Sequence, residues 1–129
     1  MGNISIISNN PRVWETYSQH VRKIEGGVLA VYEAARDAIH RGAKLLNHPL
    51  AGSVKPNQNP YRSLLLSTAA DRPLDLDSLS HIENAIQTLD RLPKLNRPYT
   101  EKAMEDFRFI DFCLFQTAVQ ALPAAYYFK

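Results

Sequence analysis

Two apolar runs near the middle of the chain, Leu45-Leu46 and Leu64-Leu65-Leu66, bracket a connection that carries Pro49, Pro56 and Pro60. This arrangement constrains the fold more than any other stretch. A loop of that length in a small domain is either functional or disordered, and the apolar runs clamping its ends favour order. Leu64-Leu65-Leu66 is continuous rather than alternating, as in a strand covered on both faces. Such a strand needs layers to cover it, and the rest of the chain supplies helices.

Ile4, Ile6 and Ile7 predict a first strand, ended by Asn9-Asn10-Pro11. Asn10 suits a helix N-cap and Pro11 the first helical position, where its missing N–H costs nothing. That helix is expected to run to about Val21, with Val13, Tyr17 and Val21 on its buried face. Val21 to Glu25 reads as a short second strand. After Gly26-Gly27 a second helix carries Val28, Tyr32, Ala35 and Ile39 and closes near Arg41-Gly42. Leu45-Leu46 and Arg62 to Thr68 read as further strands. A third helix is expected from about Ser78, capped by Asp77 or Ser78, with Leu79, Ile82, Ile86 and Leu89 buried and Pro93 at its end. A fourth runs from Thr100 towards Pro123, with Met104, Phe107, Asp111, Leu114 and Ala118 on one face. The order predicts a single α/β domain over residues 1–129: a small, mostly parallel β-sheet with flanking helices and two C-terminal helices. In such sheets ligands favour the crevice beyond the carboxyl ends of the strands. Ser8-Asn9-Asn10 and His48 both follow strands and are expected at that edge.

Composition narrows the function classes. Lys and Arg number 15 and Asp and Glu 13, dispersed to a net charge of +2, without the basic stripe of a nucleic-acid binder. One cysteine, Cys113, leaves no internal disulfide and no cysteine-built zinc site, which fits a reducing, cytoplasmic setting. Its apolar neighbours Phe112, Leu114 and Phe115 suggest a core or interface thiol rather than a nucleophile. The opening residues carry neither the basic nor the long apolar region of a signal peptide. No segment approaches the roughly 18 apolar residues of a membrane span.

The chemistry-bearing residues gather in the central connection. His48, in a loop after a strand, has the chemistry of a general base, a metal ligand or a hydrogen-bond anchor; pinning the loop is the bland account. Gly52, Ser53 and Lys55 offer N–H groups, a hydroxyl and an ammonium to an anion, and Arg62 and Ser63 add a guanidinium and a second hydroxyl. The loop is neither a Walker A motif nor a dinucleotide fingerprint. Asn9 and Asn10 are candidate ligand contacts as well as cap and turn formers. His20, His40 and His81 lack metal-site spacing, and Asp71, Asp75 and Asp77 lack the glycine and closing glutamate of a calcium loop. No catalytic residue, metal or cofactor is therefore assigned. Asp111, on an otherwise apolar helix face, must pair with a cation, such as one from the central loop, or face solvent.

Ile6-Ile7-Ser8-Asn9-Asn10-Pro11, Ile39 through Asn57, Pro60-Tyr61-Arg62-Ser63, Asp75 through Glu83, and Asp106 through Asp111 together resemble the GrdX family. The most specific part is His48-Pro49-Leu50-Ala51-Gly52-Ser53-Val54-Lys55-Pro56-Asn57. The resemblance implies a small cytosolic protein encoded beside glycine, sarcosine and betaine reductase components, with no catalytic residues to transfer. Two expectations follow. One is an accessory or regulatory protein that binds a reductase-system protein or a second copy of itself as a homodimer. The other is a binder or enzyme for a small phosphate- or carboxylate-bearing ligand, using the loop from His48 to Ser63.

Overall fold

In the computed structural model, which describes residues 2–50, 55–68, 73–94 and 98–128, the isoleucine run at the start of the chain forms the central strand. This strand, β1 (Gly2–Ser8), is followed by helix α1 (Pro11–Thr16) and a parallel partner, β2 (Val21–Lys23), paired Ile6↔Val21. Helix α2 (Val28–His40) leads through the central loop to β3 (Ser63–Ser67), which lies antiparallel on β1 with Ile6↔Leu65 in register. Helices α3 (Leu76–Arg91) and α4 (Glu101–Gln120) precede a short strand, β4 (Tyr126–Tyr127), parallel to the start of β1. The α/β class stands, but the sheet is mixed rather than mostly parallel, because the longest pairing, β1 with β3, is antiparallel.

The strand expected at Leu45-Leu46 does not form. That segment makes only a single bridge, Leu45↔Leu66, on β3. The Leu46 N–H continues the ladder to the Leu65 carbonyl, and the Asn47 side chain then takes the place of backbone by accepting from the Leu65 N–H at 2.8 Å. Pro49 follows and has no N–H to extend a ladder. The chain leaves the edge, crosses the loop and returns as β3.

Side-chain alternation sends each strand to both faces. Ile7, Leu64 and Leu66 pack with Val31, Tyr32, Ala35 and Ile39 of α2 and Ile82 and Ala85 of α3. Ile4, Ile6 and Leu65 pack on the other side with Val13 of α1 and Phe115 of α4. Every residue of β3 is buried, which accounts for its unbroken apolar sequence.

Element ends follow local chemistry. Asn10 caps α1 by accepting from the Arg12 N–H, with Pro11 at the first helical position. The helix stops at Thr16, short of Val21, because the chain must be extended by Val21 to meet Ile6. Gly42 takes φ 108° just beyond the end of α2, a conformation that favours glycine. Helix α3 begins at Leu76, capped by Asp75 rather than Asp77 or Ser78: its carboxylate accepts from the Ser78 N–H and hydroxyl. The Ser78 hydroxyl in turn accepts from the Leu45 N–H, tying the loop to α3. Those bonds from Ser78 hold the Asp75 carboxyl below the usual carboxylate range. On α4 the buried positions are Asp111 and Phe115, whereas Leu114 and Cys113 are exposed. Cys113 therefore does not fill the core.

Because both faces of β3 are dry, Leu65→Ala and Leu66→Ala are each expected to lower the stability read by urea unfolding by about 2–5 kcal/mol. A one-sided sheet would tolerate one of the two.

Candidate functional site

The end of β1 and the start of β3 meet because Ser8 pairs with Ser63. Their hydroxyls lie 2.7 Å apart. The Ser63 hydroxyl donates to Asp111 Oδ2 of α4 at 2.7 Å, so the Ser8 hydroxyl supplies the proton between the two serines. Ser8 Oγ accepts from the Asn10 N–H at 2.9 Å, and the Asn10 side-chain amide donates to the same Asp111 Oδ2 at 2.9 Å. The bonds form a ring that leaves Asn10 through its backbone and returns through its side chain. All the polarity runs towards one carboxylate oxygen. The second amide hydrogen of Asn10 goes to the Arg108 carbonyl, so the residue that caps α1 also fastens α4.

Asp111 is only 5% exposed. Burial raises its carboxyl above the ordinary carboxylate range, against the opposing pull of the Asn10 amide, the Ser63 hydroxyl, the Arg62 charge and the Ser63 N–H.

Arg62 immediately precedes β3 and is 7% exposed. Its backbone is fixed by Asn9, whose side-chain oxygen accepts the Arg62 N–H at 2.8 Å and whose amide donates to the carbonyls of Gly26 and Pro60. Its guanidinium is not fixed: Nε and Nη2 are buried and have no hydrogen-bond partner among the described residues. Buried charged donors without partners are costly, by about 1–3 kcal/mol or more each.

Arg62, Ser63 and Asp111 line one cleft of about 380 Å³ together with Asn47, His48, Leu114, Phe115 and Leu122. His48 is exposed at the rim. Its Nδ1 accepts from the Leu50 N–H at 3.0 Å, which places the ring proton of the neutral imidazole on Nε2. Its ring lies 5.0 Å from that of His81 on α3.

The structure thus brings His48, Arg62 and Ser63 together in the cleft lining, and Asn10, which does not line the cleft, bonds Asp111, which does. Asn9 holds the loop with its whole amide. Lys55 is exposed and does not line the cleft, and Gly52 and Ser53 lie outside the described residues. The Asn57-Gln58-Asn59 segment satisfies connections: Asn57 donates to the Pro93 carbonyl, Asn59 to the Phe107 carbonyl, and the Gln58 carbonyl accepts from Tyr99. Asp111 completes the site, although it stands among none of the binding residues expected from sequence. Its signal was an acidic residue on an apolar helix face; its partners are hydroxyl and amide donors rather than a direct ion pair. Among the described residues no three His, Cys, Asp or Glu side chains converge as metal ligands, and no helix is long and apolar enough to cross a membrane.

Family comparison agrees with the motif-level resemblance. Residues 5–120 match the family described as GrdX-like protein, and the chain belongs to that family. No curated protein and no solved structure matches it.

The raised carboxyl at Asp111 fixes the sign of a pH effect. Its stabilising contribution is full below the unfolded value of about 3.9 and is lost as pH rises through the higher folded value. The stability of the wild type relative to Asp111→Asn is therefore expected to fall with rising pH across that window in urea unfolding. A relative stability that climbs instead would mean that the surrounding donors prevail over burial.

Proposed function

We propose that this GrdX-like protein is a cytosolic accessory or regulatory protein that acts by binding, with the cleft beside Arg62 as its recognition site for a small anionic group. The observation that carries this reading is the buried side chain of Arg62, a residue that lines the cleft, with Nε and Nη2 unpartnered among the described residues. Those two atoms lie side by side on one edge of the guanidinium and match the two oxygens of a carboxylate or phosphate. Neither is open to solvent, so a ligand engages them as the guanidinium turns towards the cleft. His48 has its Nδ1 committed to the loop backbone, which supports an anchoring role for that ring over a proton-transfer role. Family membership supports a setting in glycine, sarcosine or betaine reductase metabolism, with the reductase proteins as candidate partners. An isologous homodimer is a second arrangement compatible with the exposed Phe109, Ile110 and Leu114 on α4.

A thermal-shift series with inorganic phosphate, acetate and longer monocarboxylates tests the site. A stabilising anion is expected to lose its effect in Arg62→Met, which keeps much of the side-chain volume, and to retain it in Lys55→Ala. An unchanged shift in Arg62→Met would remove the cleft from consideration.

A further inference from the structure

Arg62 and Asp111 are buried side chains of opposite charge on the wall of the same cleft. The charge of Arg62 is felt at Asp111, yet none of the ion pairs among the described residues includes either group. Each is thus a buried charge without a counter-ion in contact, an arrangement that costs several kcal/mol per ion unless something compensates it. The hydrogen bonds from Asn10 and Ser63 both end on Oδ2 of Asp111, so Oδ1 is the oxygen on which a further donor would act.

A plain anion solves only half of this problem. Bound at Arg62, it would set a second negative charge beside Asp111 and raise the cost of that carboxylate further. A plain cation at Asp111 would do the same to Arg62. A molecule carrying both charges on adjacent carbons satisfies the two walls together. The remaining lining is largely apolar, from Leu46, Leu114, Phe115 and Leu122. A volume near 380 Å³ is at the small end of ligand pockets, which run from about 300 to 1,000 Å³.

We propose that the cleft binds a free α-amino acid with an apolar side chain, its carboxylate held by Arg62, its ammonium by Asp111, and its side chain against Leu114, Phe115 and Leu122. This rests on the reading of Arg62 as an anion-binding residue and adds the requirement for the positive group and the apolar body. It also accounts for Asp111 being held by the ends of three elements: the Ser8–Ser63–Asn10 ring fixes the carboxylate without neutralising it.

The test compares four ligands of matched shape on the wild-type protein by calorimetry: L-leucine, 4-methylvalerate, which lacks the ammonium, 3-methylbutylamine, which lacks the carboxylate, and glycine, which lacks the side chain. Leucine is expected to bind at least about tenfold more tightly than any of the three, a difference of about 1.4 kcal/mol. Arg62→Met is expected to abolish its binding. In Asp111→Asn the preference for leucine over 4-methylvalerate should disappear. Because that variant alters a buried ring, the wild-type comparison decides the question by itself. If 4-methylvalerate binds as tightly as leucine, the amino-acid inference fails while the anion reading of Arg62 stands. If glycine matches leucine, the apolar wall is not a specificity element and the inference fails in that respect. If no carboxylate and no phosphate binds, both the inference and the reading beneath it are overturned.

Discussion

The Asp111 carboxylate lies where segments far apart in sequence meet: the end of β1 at Ser8, the cap of α1 at Asn10, the start of β3 at Ser63 and the middle of α4. A carboxylate taken out of water needs donors, and each donor here is also a structural terminus. Ser63 is the first residue of β3, and Asn10 is the N-cap that lets α1 begin. The position of α4 against the sheet is thereby coupled to the registry of β1 with β3. Apolar packing through Phe115, Ile4, Ile6 and Leu65 supplies the burial on that face, but hydrophobic contact is non-directional. The hydrogen-bonded ring supplies the direction.

The same junction explains why a cleft forms there. Helix α4 is held at Asp111 and covers Leu65, while the chain beyond Leu46 leaves the sheet edge at Pro49. The cleft is lined by Asn47 and His48 of the departing chain and by Leu114 of α4 and Leu122 just beyond it. Ser63, Asp111 and Arg62 also line it. The backbone at Arg62 is bonded on both sides by Asn9, with the Asn9 N–H donating to the Arg62 carbonyl and the Asn9 side chain receiving the Arg62 N–H. A rigidly held backbone with an uncommitted guanidinium is a suitable arrangement for recognition, since little backbone ordering remains to oppose binding.

Much of the local structure was legible in the residues. Asn10-Pro11 encodes a helix start through a cap and a donor-free first position, and the start of α4 was expected at Thr100, which in the fold is its N-cap and accepts from the Ala103 N–H. The unbroken Leu64-Leu65-Leu66 run indicated a strand buried on both faces. The long-range features were less accessible. Nothing in Leu45-Leu46 distinguishes a full strand from a single bridge, because the outcome depends on whether a neighbour lies alongside and on the proline two residues beyond Asn47. The extent of α1 was likewise set by the pairing of Ile6 with Val21, a contact across the sheet rather than a property of the helix.

For the site, the sequence by itself determined the inventory: a loop with His48, Arg62 and Ser63, an acidic residue at 111 on an apolar face, and the run that places the chain among GrdX-like proteins. The tertiary structure decided which of these act together. Strand pairing brought Ser63 to Ser8, and packing of Phe115 on Leu65 carried Asp111, one helical turn away, to the same point. Lys55, equally cationic, was left in solvent, while Arg62 was buried by the sheet that begins at the next residue. Charge type is written in the chain; its burial and its partners depend on contacts between residues some fifty to a hundred positions apart, and those exist only once the layers have packed.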